Sequence, residues 1–332
     1  MKWGIERSRL VTRMSKLPAC GKLVNRQYDT YLRMKYEMNW RWVRNPASCR
    51  SFRARLPKLD PLQQKLVEDL MATGVATCQF SQLVSDRQFW QSLSTFVSDF
   101  SSSNAVQSVV SKRQRDFEKK NDPQSVGHYI ITYYDQDQKP MITADNLLLN
   151  LALNPLVLDV VNSYLSLWSR LIYFDIWYTL PLNTDMRILS QRWHRDPEDR
   201  RKIRTFLYFC DVDESNGAME YFAGSHSGGP YEHVFKWADP LGIPYPPDGE
   251  VERQIPDSQR IVLKGPAGTL VFCDTAGFHR GGTTKTRPRI IATSAFVTPA
   301  SLHGRRFGID TSVRKAPWSP QARFAVSDPR WF

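Results

Sequence analysis

Between Ile172 and Val297 the chain breaks into six short runs rich in aromatic and β-branched residues, and no other feature limits its fold as much. The runs are Ile172–Thr179, Thr205–Asp211, Ala218–Phe222, Arg260–Lys264, Thr269–Cys273 and Arg289–Val297, with Gly, Pro, Asn and Asp between them. Strands of this length and spacing predict an antiparallel barrel or sandwich. The upstream texture is helical. Asp60-Pro61-Leu62-Gln63 reads as an N-cap, a Pro at the first helical position and a capping-box partner. Leu62, Leu66, Val67, Leu70 and Met71 then form one apolar stripe that stops at Gly74. A second helix is expected from about Asp86, with Phe89, Leu93, Phe96 and Val97 on one face. Ser101–Ser125 is polar and reads as a loop, His128–Tyr134 as a strand, and Leu147–Val161 as two helical pieces broken at Asn154-Pro155. Helices first and strands after give an α+β class, with N-terminal helices buttressing a β core. Residues 227–258 lack periodicity, and a lid over a site is expected there.

The charge is unevenly placed. The net charge is +12, and residues 1–58 hold 15 Lys and Arg against 3 Asp and Glu, so the other 274 residues are neutral in balance. This basic N-terminal extension also carries Trp3, Tyr28, Tyr31, Tyr36, Trp40 and Trp42. Such a segment could touch an anionic membrane surface, nucleic acid or an acidic partner. The plainer readings are a solvated tail or an arm packed on its own domain, and the Arg-rich start is also compatible with a transit peptide. The domain proper is expected over 59–332, its β core over about 171–298, and removal of residues 1–58 is expected to spare the fold. Five scattered cysteines without a CxxC spacing suggest neither a zinc site nor a disulfide framework, which fits a reducing, cytoplasmic setting. No apolar run reaches membrane-spanning length, and no signal-peptide core is visible.

Trp193-His194-Arg195-Asp196 is answered 85 positions after His194 by Phe278-His279-Arg280-Gly281-Gly282. Two histidines and one carboxylate match the facial set that binds non-haem Fe(II) and leaves three octahedral positions open. A spacing of two lets His194 and Asp196 reach one metal from a strand end, with His279 supplied by a neighbouring strand. The alternative is two ordinary histidines and an unrelated Asp. Arg289 follows His279 by ten residues and opens an apolar strand, where a guanidinium can grip a carboxylate bidentately. Arg204 and Thr205 are both candidates to face the site. His128 could line a pocket or be a satisfied core residue, and His226 reads as structural. Gln191 could reach a cosubstrate, although strand parity points it away from His194. No HExxH, P-loop or G-x-S-x-G is present, so metalloprotease, nucleotide-hydrolase and esterase readings lack support.

Gln191-Arg192-Trp193-His194-Arg195-Asp196, then Phe206 to Gly217 ending in Asp211-Val212-Asp213-Glu214-Ser215-Asn216-Gly217, then Gly224-Ser225-His226, resemble the phytanoyl-CoA dioxygenase family. Gly268 to Asp274 followed by His279-Arg280-Gly281-Gly282 is similar to its distal motif. The resemblance covers roughly 59–300. It implies a double-stranded β-helix of the jelly-roll, cupin-like type, with Fe(II) as metal and 2-oxoglutarate and O2 as cosubstrates. It also implies His194, Asp196 and His279 as metal ligands and Arg289 as the cosubstrate clamp. Many relatives place a Ser two residues after the clamp, where this chain has Ile291, so another residue must assist. The basic extension is not part of the family pattern. Asp196 in place of Gly or Ala argues against halogenation.

The implied activity is oxygenation, foremost hydroxylation of an unactivated C–H bond in a lipid-like or specialised-metabolite small molecule. Oxidative cyclisation or desaturation of a natural product is the second reading, and a non-catalytic β-barrel binding protein the third. No nucleic-acid partner is expected.

Overall fold

The computed structural model describes residues 21–134, 138–235 and 245–327. Among the described residues, helices α1 (Gly21–Arg41), α2 (Arg44–Arg53) and α3 (Pro61–Thr73) come first. Asp60 caps α3 through a reciprocal pair with Gln63, and Gly74 ends it in the left-handed region at φ 91°, as the sequence predicts. Strand β1 (Val75–Gln79) follows, then α4 (Phe80–Leu83), α5 (Arg87–Ser102) and α6 (Asn104–Lys120). The stretch expected as a loop is thus mostly α6. Only Val106 and Val110 of α6 are buried, too narrow a stripe to register as a helical period. Strands β2 (Ile130–Thr132) and β3 (Met141–Ile142) lead to α7 (Leu147–Ala152) and α8 (Pro155–Leu165), split at Asn154, whose side chain caps α8.

The β core contains β4 (Arg170–Thr179), β5 (Lys202–Tyr208), β6 (Met219–Phe222), β7 (Arg260–Leu263), β8 (Thr269–Cys273), β9 (His279–Arg280) and β10 (Arg289–Val297). The larger sheet has the order β1-β8-β5-β10-β4-β2 and is antiparallel throughout. The smaller sheet, β7-β6-β9, is antiparallel too. Alternation along each strand separates two cores. Ile203, Leu207, Leu270, Phe272, Ala292 and Phe296 point outward and pack with Leu66, Leu70, Leu158 and Val161 of α3 and α8. Phe206, Tyr208, Val271, Cys273 and Ile291 point inward and meet Met219, Tyr221 and Leu263 of the smaller sheet. The result is the jelly-roll sandwich of a double-stranded β-helix, with helices covering the outside of the larger sheet.

The basic arm is not a free tail where it is described. Leu32, Tyr36, Asn39 and Phe52 are buried. Ser48 Oγ donates to Trp168 O at 2.6 Å, and Ala300 N donates to Asn45 Oδ1 at 2.9 Å. The arm therefore packs on its own domain, the plainer reading of the charge pattern, and removing residues 1–58 would uncover these partners. The charges obscured this because the arm buries one side of α1 and leaves its cations on the others. Residues 1–20, including Trp3, lie outside the described residues, as do 236–244 of the expected lid. The later part of that segment packs on the smaller sheet, where Val251 and Ile255 join Trp193, Phe222 and Phe278.

Candidate active site

His194 lies just beyond a helical turn at Leu189–Gln191, and His279 opens β9. Their backbones form an antiparallel bridge, His194 N to His279 O at 3.0 Å and His279 N to His194 O at 3.1 Å. This pairing brings residues 85 positions apart to ring centroids 4.2 Å from each other. His194 Nδ1 meets Arg192 O at 2.8 Å, and His279 Nδ1 meets Gly277 O at 3.0 Å. A carbonyl can only accept, so each Nδ1 holds a proton and each Nε2 keeps its lone pair. Both Nε2 atoms face Asp196: His194 Nε2 is 3.8 Å from Oδ1 and His279 Nε2 is 3.9 Å from Oδ2. These gaps are too long for hydrogen bonds. The three ligand-type atoms all lie within 4.8 Å of one another, a spacing that one ion can bridge.

The electrostatics agree with a divalent cation. Burial pushes both imidazoles down, and His194 beside it helps bring His279 to about 3, so both are neutral. Burial alone would raise Asp196, but the Arg204 and Lys202 cations hold its carboxyl well below the usual range. Arg204 Nη2 is 3.3 Å and Lys202 Nζ 3.4 Å from Asp196 Oδ2. Both cations also pair with buried Glu198. Two neutral imidazoles and one carboxylate therefore fit Fe(II), and His194, Asp196 and His279 could hold it. Strand parity decides between the two candidates on β5: Arg204 points inward with Phe206 and Tyr208, and Thr205 lies on the other face. Glu198 and Lys202 were not foreseen. The available signal was Lys202 and Arg204 flanking Ile203, charges at period two in an otherwise apolar strand.

The residue between the first two ligand candidates turns away from them. Arg195 is 1% exposed and donates to Ser225 O and Ala276 O, both at 2.6 Å, so it ties the loop after β6 to the loop that leads to His279.

Arg289 lines the same cavity as His194, Asp196 and His279. It is buried, donates through Nη1 to Gly217 O, and has Nη2 3.5 Å from Thr179 Oγ1. Its Nε has no hydrogen-bond partner, and no carboxylate pairs with it among the described residues. A buried guanidinium in that state has donors free to take a carboxylate. Gly217, at φ 94°, permits the close backbone approach, since a Cβ there would lie 2.8 Å from Thr284. Ile291, two residues after Arg289, lines the cavity and offers no hydrogen bond. Nearby, Tyr129 and Ser190 share a 2.5 Å hydroxyl contact and both line the cavity, so they are the polar groups available to assist. Arg287, by contrast, points out and pairs with Asp213 at 2.9 Å.

The cavity measures about 210 Å³ and is walled by Tyr129, Tyr173, Trp177, Phe206, Tyr208 and Tyr245. Tyr245 approaches His194 with ring centroids 5.6 Å apart. His128 lines the cavity, with Nδ1 3.1 Å from Ile130 N. His226 lies elsewhere, Nε2 3.2 Å from Met71 O, and ties the end of α3 to the loop after β6. Gln191 folds back on its own turn, its Oε1 accepting from Ile188 N at 3.1 Å.

No curated protein matches the chain. Solved structures with a similar shape include EctD from S. alaskensis in its apoform (16% identity, 82% of this chain and 93% of that chain, TM-score 0.49). Others are the non-haem alpha ketoglutarate dependent carbocyclase SnoK from nogalamycin biosynthesis (14%, 73% and 85%, 0.43), and AviO1 from Streptomyces viridochromogenes Tue57 (13%, 74% and 98%, 0.42). The family description "Phytanoyl-CoA dioxygenase (PhyH)" matches residues 43–290, a span that starts inside the basic arm and contains every residue lining the cavity except Ile291. The chain therefore belongs to the phytanoyl-CoA dioxygenase family and is a non-haem oxygenase dependent on Fe(II) and 2-oxoglutarate.

Proposed function

We propose that the enzyme hydroxylates an unactivated C–H bond of a small, largely apolar molecule, with His194, Asp196 and His279 holding Fe(II) and Arg289 gripping the far carboxylate of 2-oxoglutarate. The observation that carries this reading is the convergence of all four side chains on one aromatic-walled cavity. Iron with 2-oxoglutarate and O2 supplies the oxidative decarboxylation that is coupled to C–H cleavage.

The chain's own part is binding, orientation and exclusion of water. Arg192 O and Gly277 O keep the two imidazoles in the tautomer that presents Nε2. Arg204 and Lys202 hold Asp196 ionised and anchor its Oδ2. Arg289 offers Nε and Nη2 as parallel donors to a carboxylate, while its Nη1 stays anchored on Gly217 O. Trp177, Phe206 and Tyr173 form the wall on the larger sheet, and Tyr245 closes the cavity from the segment after residue 244. These rings favour an apolar or aromatic substrate surface and keep bulk water from the reacting carbon.

The test is anaerobic reconstitution with Fe(II) and 2-oxoglutarate, then succinate release on O2 addition across a panel of small molecules. Substrate-stimulated succinate with a product heavier by one oxygen supports hydroxylation. A product lighter by two hydrogens points to desaturation or cyclisation. No stimulation by any member, with tight iron and 2-oxoglutarate binding, would count against a small apolar substrate.

A further inference from the structure

Helix α1 buries Leu32, Tyr36 and Asn39 and turns a different apolar set outward. Tyr31, Met34, Met38 and Trp42 are all exposed, Met34 by 68% and Trp42 by 77%. At the helical period of roughly 100° per residue these positions fall within about 80° of one another, with Trp42 just past the last turn. Six of the eleven large hydrophobics exposed among the described residues lie between Tyr31 and Leu56, so the exposure is concentrated on the arm. Single exposed apolar residues are ordinary, but an aligned run of four is a patch that asks for a partner.

The surroundings of the stripe are cationic. Lys35 and Arg41 flank it, and Lys35 Nζ lies 5.9 Å from the Tyr31 ring centre. One of the two acidic residues of α1, Glu37, is neutralised by Arg41 and Arg200. Residues 1–58 hold 15 cationic and 3 anionic side chains. None of the described helices is long and apolar enough to cross a membrane. An amphipathic helix with an aromatic and Met stripe bordered by cations is the form that lies in the plane of a bilayer interface.

We propose that this face of α1 docks on an anionic lipid bilayer, with Met34, Met38 and Trp42 at the acyl boundary and the surrounding cations among the headgroups. Charge complementarity selects this occupant. A second copy of the chain would set two cationic arms against each other. An acidic protein would satisfy the charge but leave the aligned apolar stripe unexplained. The attraction between basic residues and anionic headgroups fades beyond a Debye length of roughly 8 Å at physiological salt, so docking weakens as salt rises.

The experiment is co-sedimentation of the full-length protein with phosphatidylcholine vesicles, with and without phosphatidylserine, at low and high salt. The comparison variant carries Met34→Ser, Met38→Ser and Trp42→Ser, all exposed and outside the cavity, with iron binding and circular dichroism as checks of its fold. The intact protein is expected to bind phosphatidylserine vesicles at low salt, to lose most of that binding at high salt, and to lose most of it in the triple variant. Absence of binding by the intact protein at low salt would overturn the assignment, as would equal binding by the triple variant or equal binding to phosphatidylcholine alone. Capture on immobilised polyglutamate that the triple variant retains, without vesicle binding, would instead assign the arm to an acidic protein. Self-association in the ultracentrifuge that the triple variant loses would assign the face to a second copy.

Discussion

The Tyr36 hydroxyl donates to Asp199 Oδ1 at 2.6 Å, joining the basic arm to the loop that carries Asp196 three residues upstream. Asp199 Oδ2 accepts from Thr298 N at 2.7 Å, so one buried carboxylate ties together the arm, the Asp196 loop and the end of β10. Tyr36→Phe keeps the ring and removes the donor, leaving a buried carboxylate short of one partner at a cost of about 1–3 kcal/mol. Urea denaturation should show that loss. Deletion of residues 1–58 should abolish soluble folded protein, and a well-folded truncated form would show that the arm contacts contribute little.

Arg289→Lys keeps the charge and loses the planar fork. Loss of one charge-assisted hydrogen bond is worth about 1.5–3 kcal/mol, which is roughly ten- to hundredfold in the Kd for 2-oxoglutarate. Calorimetric titration of the Fe(II)-loaded protein measures it. Arg287→Ala, on an exposed side chain paired with Asp213, should leave that Kd unchanged. The reverse ranking would show the clamp to be Arg287.

His279→Ala should lose most Fe(II) affinity, because no other His, Cys, Asp or Glu among the described residues completes a ligand group with His194 and Asp196. His226→Ala should keep its iron, since its ring serves Met71 O. Metal analysis after gel filtration distinguishes the two. Full iron occupancy in His279→Ala would remove that residue from the ligand set.

Asp175 accepts hydrogen bonds from Tyr133 N, Tyr134 N, Ile176 N and Tyr173, yet burial pushes its carboxyl up to about 7. The folded pKa lies above the unfolded value of about 3.9, so the native state binds the extra proton between them. This contribution to stability is complete below about pH 4 and is lost as pH rises through 7, with a slope of up to about 1.4 kcal/mol per pH unit. Asp175→Asn, which cannot ionise, should remove that part of the slope. Melting curves from pH 5 to about 8 test it, and an unchanged slope would place the pH dependence elsewhere.

Local chemistry made much of the fold legible. Asp60 with Gln63, Gly74 and Asn154-Pro155 mark helix ends through their own side chains and dihedrals, and the structure places ends there. Thr269–Cys273 and Arg289–Val297 are strands as read, because their runs are bounded by turn residues. What was not legible depends on partners distant in sequence. Arg204 and Thr205 could not be separated until pairing with β8 and β10 fixed which face of β5 looks inward. Tyr36 reads as one more aromatic in a basic tail until Asp199 is brought to it. Glu198 and Lys202 sit in a charge run that resembles a solvated turn, and only the convergence of β5 with the Asp196 loop buries them.

The reciprocal backbone bridge between His194 and His279 makes the candidate ligand set depend on strand register. A slip of one residue in this pairing would send one imidazole to the opposite face of the sandwich and leave an incomplete ligand set. The same two hydrogen bonds thus join two segments separated by most of the β core.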